Sequence, residues 1–216
     1  MGLFRVSGFE FRVLTNMRIT TGKYRNRKLH MPRGIRPTQD KVRKAVFDIL
    51  GDIEGLTFLE LFAGSGAVGF EALSRGAAEL TLVECNRDSV LAIKRNIALL
   101  NAANCSLFHL EAEKAVKLLS LDKKSFDIIF IDPPYYKGMA PRQSSGLTPD
   151  NAVGLGKKIL QTLEAYDILS PYGLIVVQHS KLEQLSGDAL KFSLIKEAKY
   201  GDTWLSIFSH AERQKE

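Results

Sequence analysis

From Leu56 onward the chain alternates short apolar runs with amphipathic stretches, and this alternation restricts the fold more than any other feature. Strands are expected at Leu56–Leu61, Leu80–Val83, Ser106–Leu110, Phe126–Ile131 and Leu174–Val177. Between them lie helical patterns at Ala67–Arg75 (closed by Gly76), Arg87–Leu100, Glu113–Leu121 and Ala152–Leu169. The run Phe126–Ile131 is almost wholly apolar, as a strand covered on both faces must be, and belongs in the middle of a parallel sheet. Repeated strand–helix units imply such a sheet with helices on both faces and right-handed crossovers. Near the end, Phe192–Ala198 and Thr203–Ser209 flank Tyr200-Gly201-Asp202 and read as an antiparallel hairpin. The expected fold is α/β, with a mostly parallel seven-stranded sheet that finishes in that hairpin. No internal repeat or low-complexity segment interrupts it.

The part before Leu56 is different in kind. The 216 residues carry a formal net charge of +6. Residues 17–44 hold ten basic side chains and only Asp40 as an acid, so this stretch is +9 and the rest of the chain is −3. A near-neutral body with one basic arm points to a polyanion bound at one end, although a solvated basic surface has the same composition. Residues 18–31 alternate loosely around Gly22 and Asn26, which predicts a short hairpin or irregular basic β-arm. Pro32, Gly34 and Pro37 then break regular structure. Thr38 is a suitable N-cap for a helix running from Gln39 to about Leu50, with Val42, Ala45, Val46, Ile49 and Leu50 as its apolar stripe; Lys41, Arg43 and Lys44 are expected to point mainly elsewhere. Patterning begins at Met17, so residues 1–16 read as a loose extension, 17–51 as arm and helix, and 52–216 as the main domain.

Composition excludes other classes. At 45% hydrophobic and 25% charged residues the chain is neither disordered nor fibrous. No run approaches the roughly 20 apolar residues of a membrane helix. Arg5, Glu10 and Arg12 interrupt any apolar region of a leader peptide. The two cysteines, Cys85 and Cys105, lack metal-type spacing, so reduced thiols in a cytoplasmic protein without a metal are expected.

Ligands of open α/β sheets bind outside the carboxyl ends of the strands, near the switch in strand order. Two strand ends stand out. At the first, Glu60-Leu61-Phe62-Ala63-Gly64-Ser65-Gly66 leads a strand through a glycine turn into a helix. Glycines permit positive φ and close approach of a ligand, and the helix start offers free N–H groups. The spacing is not the dinucleotide fingerprint, and Gly69 stands where a third glycine would fall. Glu60 would repel a pyrophosphate and attract an ammonium, which suits the methionine end of S-adenosylmethionine. A tight turn with no ligand has the same local signature. Glu84 ends the next strand roughly 20 residues on, where a carboxylate accepts from both ribose hydroxyls. Glu111 ends the third strand, in position to accept from an adenine amine with the backbone near Ala112, or simply to start a helix.

The second strand end is Asp132-Pro133-Pro134-Tyr135, directly after the apolar strand. Prolines fix a turn and withhold N–H groups, so a carbonyl such as that of Pro133 is available as an acceptor. A carboxylate and a carbonyl held together can accept both hydrogens of an aromatic NH₂, and Tyr135 supplies a stacking face for the same ring.

Taken together, Glu60-x-Phe62-x-Gly64-x-Gly66, Glu84 and Asp132–Tyr135 resemble class I S-adenosylmethionine-dependent methyltransferases of exocyclic amines, which are Rossmann-like. More narrowly, the chain is similar to the RsmD-type 16S rRNA guanine-N2 methyltransferases of bacteria, a family often labelled by its tetrad as adenine-N6 DNA methylases. The resemblance is carried by Met17-Arg18-Ile19 with Gly22, Arg36-Pro37-Thr38 with Arg43 and Phe47, Leu61–Gly66, Glu71–Ala77, Asp132–Tyr135 and Tyr200-Gly201-Asp202-Thr203. It spans Met17 to Ser209. Two departures are Glu60, where the family usually has Asp, and Gln178, where it often has Glu. The resemblance implies transfer of a methyl group from S-adenosylmethionine, leaving S-adenosylhomocysteine, to the N2 amine of a flipped guanine in 16S rRNA within the small ribosomal subunit. The catalytic set would be Asp132, Pro133, Pro134 and Tyr135. The cofactor set would be Glu60, Phe62, Gly64, Gly66, Glu84, Glu111 and Ala112. Arg18, Lys23, Arg25, Arg27, Lys28, Arg33, Arg36 and Arg43 would contact phosphates, which position RNA without reading sequence. A monomer without membrane contact is the default. Competing readings are an adenine-N6 DNA or protein-glutamine methyltransferase, a nicotinamide dehydrogenase, and a non-catalytic RNA-binding protein of the same fold. His30, His109, His179 and His210 form no partner pattern, and Trp204 is expected in the core.

Overall fold

The computed structural model describes residues 17–32, 40–134, 154–181, 183, 185 and 191–211. The extension 1–16, Arg33, Arg36, the Thr38 cap, Tyr135 and the loop after it lie outside these residues. A short helix α1 (Asp40–Leu50) precedes alternating elements β1 (Thr57–Leu61), α2 (Ala67–Ser74), β2 (Glu79–Val83), α3 (Arg87–Leu100), β3 (Cys105–Phe108), α4 (Ala112–Leu121) and β4 (Phe126–Ile131). They are followed by α5 (Leu155–Tyr166), β5 (Leu169–Ser180), β6 (Phe192–Tyr200) and β7 (Thr203–His210). The strands form one seven-stranded sheet in the order β3-β2-β1-β4-β5-β7-β6. Strands β1 to β5 are parallel, and β7 is antiparallel to both β5 and β6. The order reverses between β1 and β4, so the glycine turn and the Asp132 tetrad leave adjacent strands at the switch point.

Alternate residues of each central strand feed two cores. Phe58, Phe130 and Val176 pack with the arm, α1, α2 and α3 on one face. Leu59, Leu61, Ile129, Ile131 and Val177 pack with α4 and α5 on the other. Burying each such side chain contributes on the order of 1.5–3 kcal/mol, which is why β4 reads as an unbroken apolar run. Helix α3 is closed at both ends as its sequence dictates. The Asn86 side chain accepts from the Asp88 and Ser89 N–H groups, and Asn101 takes the left-handed conformation that ends it.

Two boundaries differ most from expectation. Helix α5 stops at Tyr166 rather than Leu169, because Asp167 turns left-handed (φ 32°). Strand β5 is 12 residues long and runs through Pro171 and Gly173, where the sequence pattern marks only Leu174–Val177. A register shift opposite Phe126–Ile128 accommodates them. A Cβ on Gly173 would lie 2.6 Å from a Leu169 side-chain carbon and 3.0 Å from the Phe126 carbonyl oxygen. Trp204 is half-buried rather than in the core, with its ring edge-on to His179 and under Lys199 Nζ at 4.0 Å.

The arm is a minimal hairpin. Arg18 and Lys28 bridge antiparallel, the Ile19 N–H donates to the Arg27 carbonyl (3.1 Å), and the Leu29 N–H donates to that of Met17 (2.9 Å). Met17, Ile19, Tyr24 and Leu29 belong to the same core as β1 and α2. Arg18, Lys23, Arg25, Arg27 and Lys28 face solvent. Among the described residues, no helix is long and apolar enough to cross a membrane.

Candidate functional site

The turn between β1 and α2 is held tightly. Phe62, Gly64 and Gly66 all have positive φ (60°, 57° and 74°). Gly66 is required twice over: it caps α2 in the left-handed region, and a Cβ there would meet the Phe70 ring at 2.7 Å. Phe62 adopts the same region without that freedom, a strain typical of a ligand site. The Gly66 N–H returns to the Ala63 carbonyl (2.6 Å), and the Gly64 N–H donates to Glu84 Oε2 (2.7 Å). The other oxygen of Glu84 accepts from the Asn86 N–H (2.8 Å), so this buried carboxylate ties the ends of β1 and β2 together.

Glu60 lies one step below the turn, 3% exposed, with Oε2 accepting from the Gly69 N–H at 2.8 Å. The glycine is there for packing, since a Cβ would sit 2.8 Å from that oxygen and 2.6 Å from Leu80. Burial pushes the Glu60 carboxyl up to about 8; repulsion from Asp132 and Glu84 adds to this, against hydrogen bonds from Gly69 and Val68. Glu60 therefore feels the negative charge of both strand ends at once.

Asp132 follows β4 directly. Its N–H reaches toward the Leu61 carbonyl at 3.5 Å, its residue is half-buried, Pro133 is buried and Pro134 exposed. Tyr135 is outside the described residues, so the tetrad is placed only through its first three members. Glu111 is the N-cap residue of α4, with an exposed side chain paired to Lys114 (2.9 Å), and Ala112 begins that helix, buried. Gln178 lies within β5, one residue past Val177, the partner of Ile131, and its Oε1 is buried without a hydrogen-bond partner. His109 Nε2 contacts the Cys85 carbonyl (3.1 Å), joining the loops after β2 and β3, which the sequence did not signal. His179 is structural, buried against Ser206 Oγ at 2.8 Å.

These residues fit S-adenosylmethionine. Glu60 offers a buried carboxyl at the end of β1 that a neighbouring ammonium would ionise, a second carboxylate stands at the next strand end for a ribose, and the glycine turn leaves room at Gly64, where a Cβ would meet nothing within 4 Å. Among the described residues no group of three or more His, Cys, Asp or Glu side chains is placed to hold a metal.

The basic residues divide sharply. Arg18, Lys23, Arg25, Arg27 and Lys28 are exposed, as phosphate contacts must be. Arg43 is a correction: it is 1% exposed. Its guanidinium donates to the Met17 sulfur, to the Arg18 carbonyl (2.7 Å) and to Asp40 (3.0 Å), and lies 3.7 Å from Glu71. It pins the arm instead of meeting a ligand. Glu71, fully buried on α2, completes the pin. It accepts from the Thr20 N–H (2.7 Å), the Thr20 hydroxyl (2.6 Å), the Thr21 N–H (3.1 Å) and Arg75 Nε (3.2 Å). At the next turn of α2 the Ser74 carbonyl accepts from the Lys23 N–H and its hydroxyl oxygen from the Tyr24 N–H, each at 2.8 Å. Gly22 (φ 76°) is obligatory, because a Cβ would overlap the Ser74 carbonyl oxygen at 1.6 Å.

A parallel sheet with its switch point between β1 and β4, a glycine turn gripped by Glu84, and Asp-Pro-Pro beside it define a Rossmann-like methyltransferase. Comparison with known proteins gives the family. The family described as Conserved hypothetical protein 95 matches residues 17–209, and the chain belongs to it, the RsmD-type methyltransferases. Ribosomal RNA small subunit methyltransferase D of Escherichia coli (strain K12) is 38% identical over 138 residues, 62% of this chain and 68% of that protein. The solved structure of hypothetical protein TTHA0928 from Thermus thermophilus superposes with a TM-score of 0.70 at 30% identity, covering 89% of this chain and 98% of that one. The structure of SMU.776 complexed with SAH shares the fold, with a TM-score of 0.60 at 21% identity over 81% of this chain and 50% of that one.

Proposed function

We propose that the protein transfers a methyl group from S-adenosylmethionine to the N2 amine of a guanine in 16S rRNA, with the small ribosomal subunit as substrate. The observation that carries this reading is that Asp132 leaves β4 directly beside the glycine turn that leaves β1, its N–H 3.5 Å from the Leu61 carbonyl. The similarity to methyltransferase D supports the rRNA substrate.

The cofactor supplies an electrophilic methyl on a sulfonium. Glu60 would hold the ammonium and Glu84 the ribose hydroxyls, with the Gly64 N–H on Glu84 fixing that carboxylate. Asp132 and the Pro133 carbonyl accept the two amine hydrogens of the flipped base. These bonds favour a pyramidal nitrogen whose lone pair aims at the methyl carbon. The nitrogen that takes the methyl must shed one proton, and Asp132 would accept it. Tyr135 stacks on the base. Positioning and electrostatics contribute most of the acceleration.

Asp132→Ala should lower transfer of tritiated methyl to unmethylated small subunits by at least about 10³-fold, comparable to the loss of a key electrostatic contact, while S-adenosylhomocysteine binds within a few-fold of wild type. Near-normal turnover would overturn the mechanism. Mapping the labelled nucleotide separates guanine N2 from adenine N6, and duplex DNA as the preferred acceptor would overturn the substrate.

A further inference from the structure

The arm touches α2 at the end far from the glycine turn, through Glu71 and Ser74, yet a second tie reaches the turn itself. Asn96 on α3 is fully buried. Its side-chain NH₂ donates to the His30 carbonyl (3.0 Å) and to the Ser65 carbonyl (3.1 Å), and its Oδ1 accepts from the His30 N–H (2.7 Å). One planar amide thus spends both of its donors and its acceptor on two segments. One segment is the arm, two residues past the exposed Lys28 and three past Arg27. The other is the middle residue of Gly64-Ser65-Gly66, whose first N–H is held by the proposed ribose carboxylate Glu84.

We infer that Asn96 is a positioning residue that couples RNA bound on the arm to S-adenosylmethionine bound in the turn, so that each ligand tightens the other. This rests on the function proposed above. A buried amide cannot follow a shift of His30 without stretching its bond to Ser65, and each abandoned polar group would be left buried and unpaired. The turn holds three residues at positive φ, so it stays in this geometry through its hydrogen bonds, of which Asn96 supplies the one to Ser65. A cofactor that orders the turn therefore also orders His30, and a phosphate held by Arg27 or Lys28 orders the turn. The second ligand then meets a smaller entropic cost, and coupling between the two sites is reciprocal.

Equilibrium dialysis of radiolabelled S-adenosylhomocysteine tests this with the full chain, with and without saturating unmethylated small subunits. Subunits should tighten binding at least about 5-fold in the wild type, the lower end of ordinary coupling. In Asn96→Ala, and in Asn96→Asp, which keeps the acceptor for His30 but loses both donors, the ratio should fall below about 2-fold. A wild-type ratio of one, or an unchanged ratio in both variants, overturns the inference. Should either variant fail to fold, hydrogen exchange of the wild type decides: S-adenosylhomocysteine alone should slow exchange of the His30 amide, and no change overturns the coupling. Methyl transfer that proceeds normally with a ratio of one sinks the coupling alone. Absence of methyl transfer sinks the function.

Discussion

Helix α2 carries a buried carboxylate along its length and packs against another, and the two are treated oppositely. Glu71, on the helix, is saturated: two backbone N–H groups, a hydroxyl and two arginines surround it. Glu60, packed beneath the helix, has backbone donors only and two acidic neighbours, and burial holds its carboxyl at about 8. A charge used for architecture is compensated inside the protein. A buried carboxyl left undercompensated at a strand end is a candidate for an outside partner, since such groups cluster at functional sites. The same contrast runs through the basic residues: Arg43 is spent on the pin, and the hairpin cations remain exposed.

The largest effect should come from breaking the saturated charge. Glu71→Ala leaves the buried Arg43 with only the exposed Asp40 as a carboxylate partner and strips Thr20 and Thr21 of their acceptor. The expected loss is about 3–5 kcal/mol of stability, as for other buried pairs that lose one member, read by thermal or urea unfolding. Because Arg43 and Glu71 are one pair, the double variant Arg43→Met with Glu71→Leu should lose less than the sum of the singles. A single-variant loss under about 1 kcal/mol would erase the distinction between the two glutamates.

Glu60 should answer to pH instead. Its folded pKa is raised, so the group is protonated in the free protein up to about pH 8. Folding then favours the protonated form, and this group's contribution to stability declines as pH rises from 4.5, the ordinary value, to about 8. An ammonium beside Glu60 favours the ionised form, so cofactor binding below pH 8 releases a proton. Affinity for S-adenosylhomocysteine should therefore rise with pH, by up to about 10-fold per unit, and level off above about 8. Calorimetry in buffers of different ionisation enthalpy measures the proton directly. In Glu60→Gln both the slope and the released proton should vanish; a slope that survives the substitution would assign the titration to another group.

The sheet, its order-determining alternation and the two strand ends are legible in the sequence because each rests on local chemistry: apolar runs, a glycine turn, a proline turn. What escapes is whatever depends on a partner far along the chain. Arg43 shares its helix face with Val46, Phe47 and Leu50 at i+3, i+4 and i+7, so its burial has a signal in the spacing, but the charge outweighs it until Glu71 supplies the reason. Glu71 in turn sits in α2, whose every residue is buried. Asn96 looks like an ordinary polar helix position, because the carbonyls it serves belong to segments 31 and 66 residues away. The extension of β5 back through Pro171 and Gly173 is not legible either, because a bulge is a property of two paired strands and one strand's residues do not reveal it.

The smallest effect tests the exposed half of the basic set. Arg25 faces solvent on the arm, and its substitution disturbs no buried group. Arg25→Ala should leave stability within about 0.5 kcal/mol of wild type, as surface changes do. If Arg25 meets a phosphate, affinity for small subunits falls only a few-fold, and the slope of log affinity against log salt decreases by about 1. Arg43→Ala should do the reverse: a large loss of stability, because the buried Glu71 loses one of its two arginines and the Arg18 carbonyl its donor, and, under conditions where the variant remains folded, a salt slope equal to that of the wild type. If Arg25→Ala leaves the slope unchanged, the net positive charge of the arm is solvated surface, and RNA must be held by other residues.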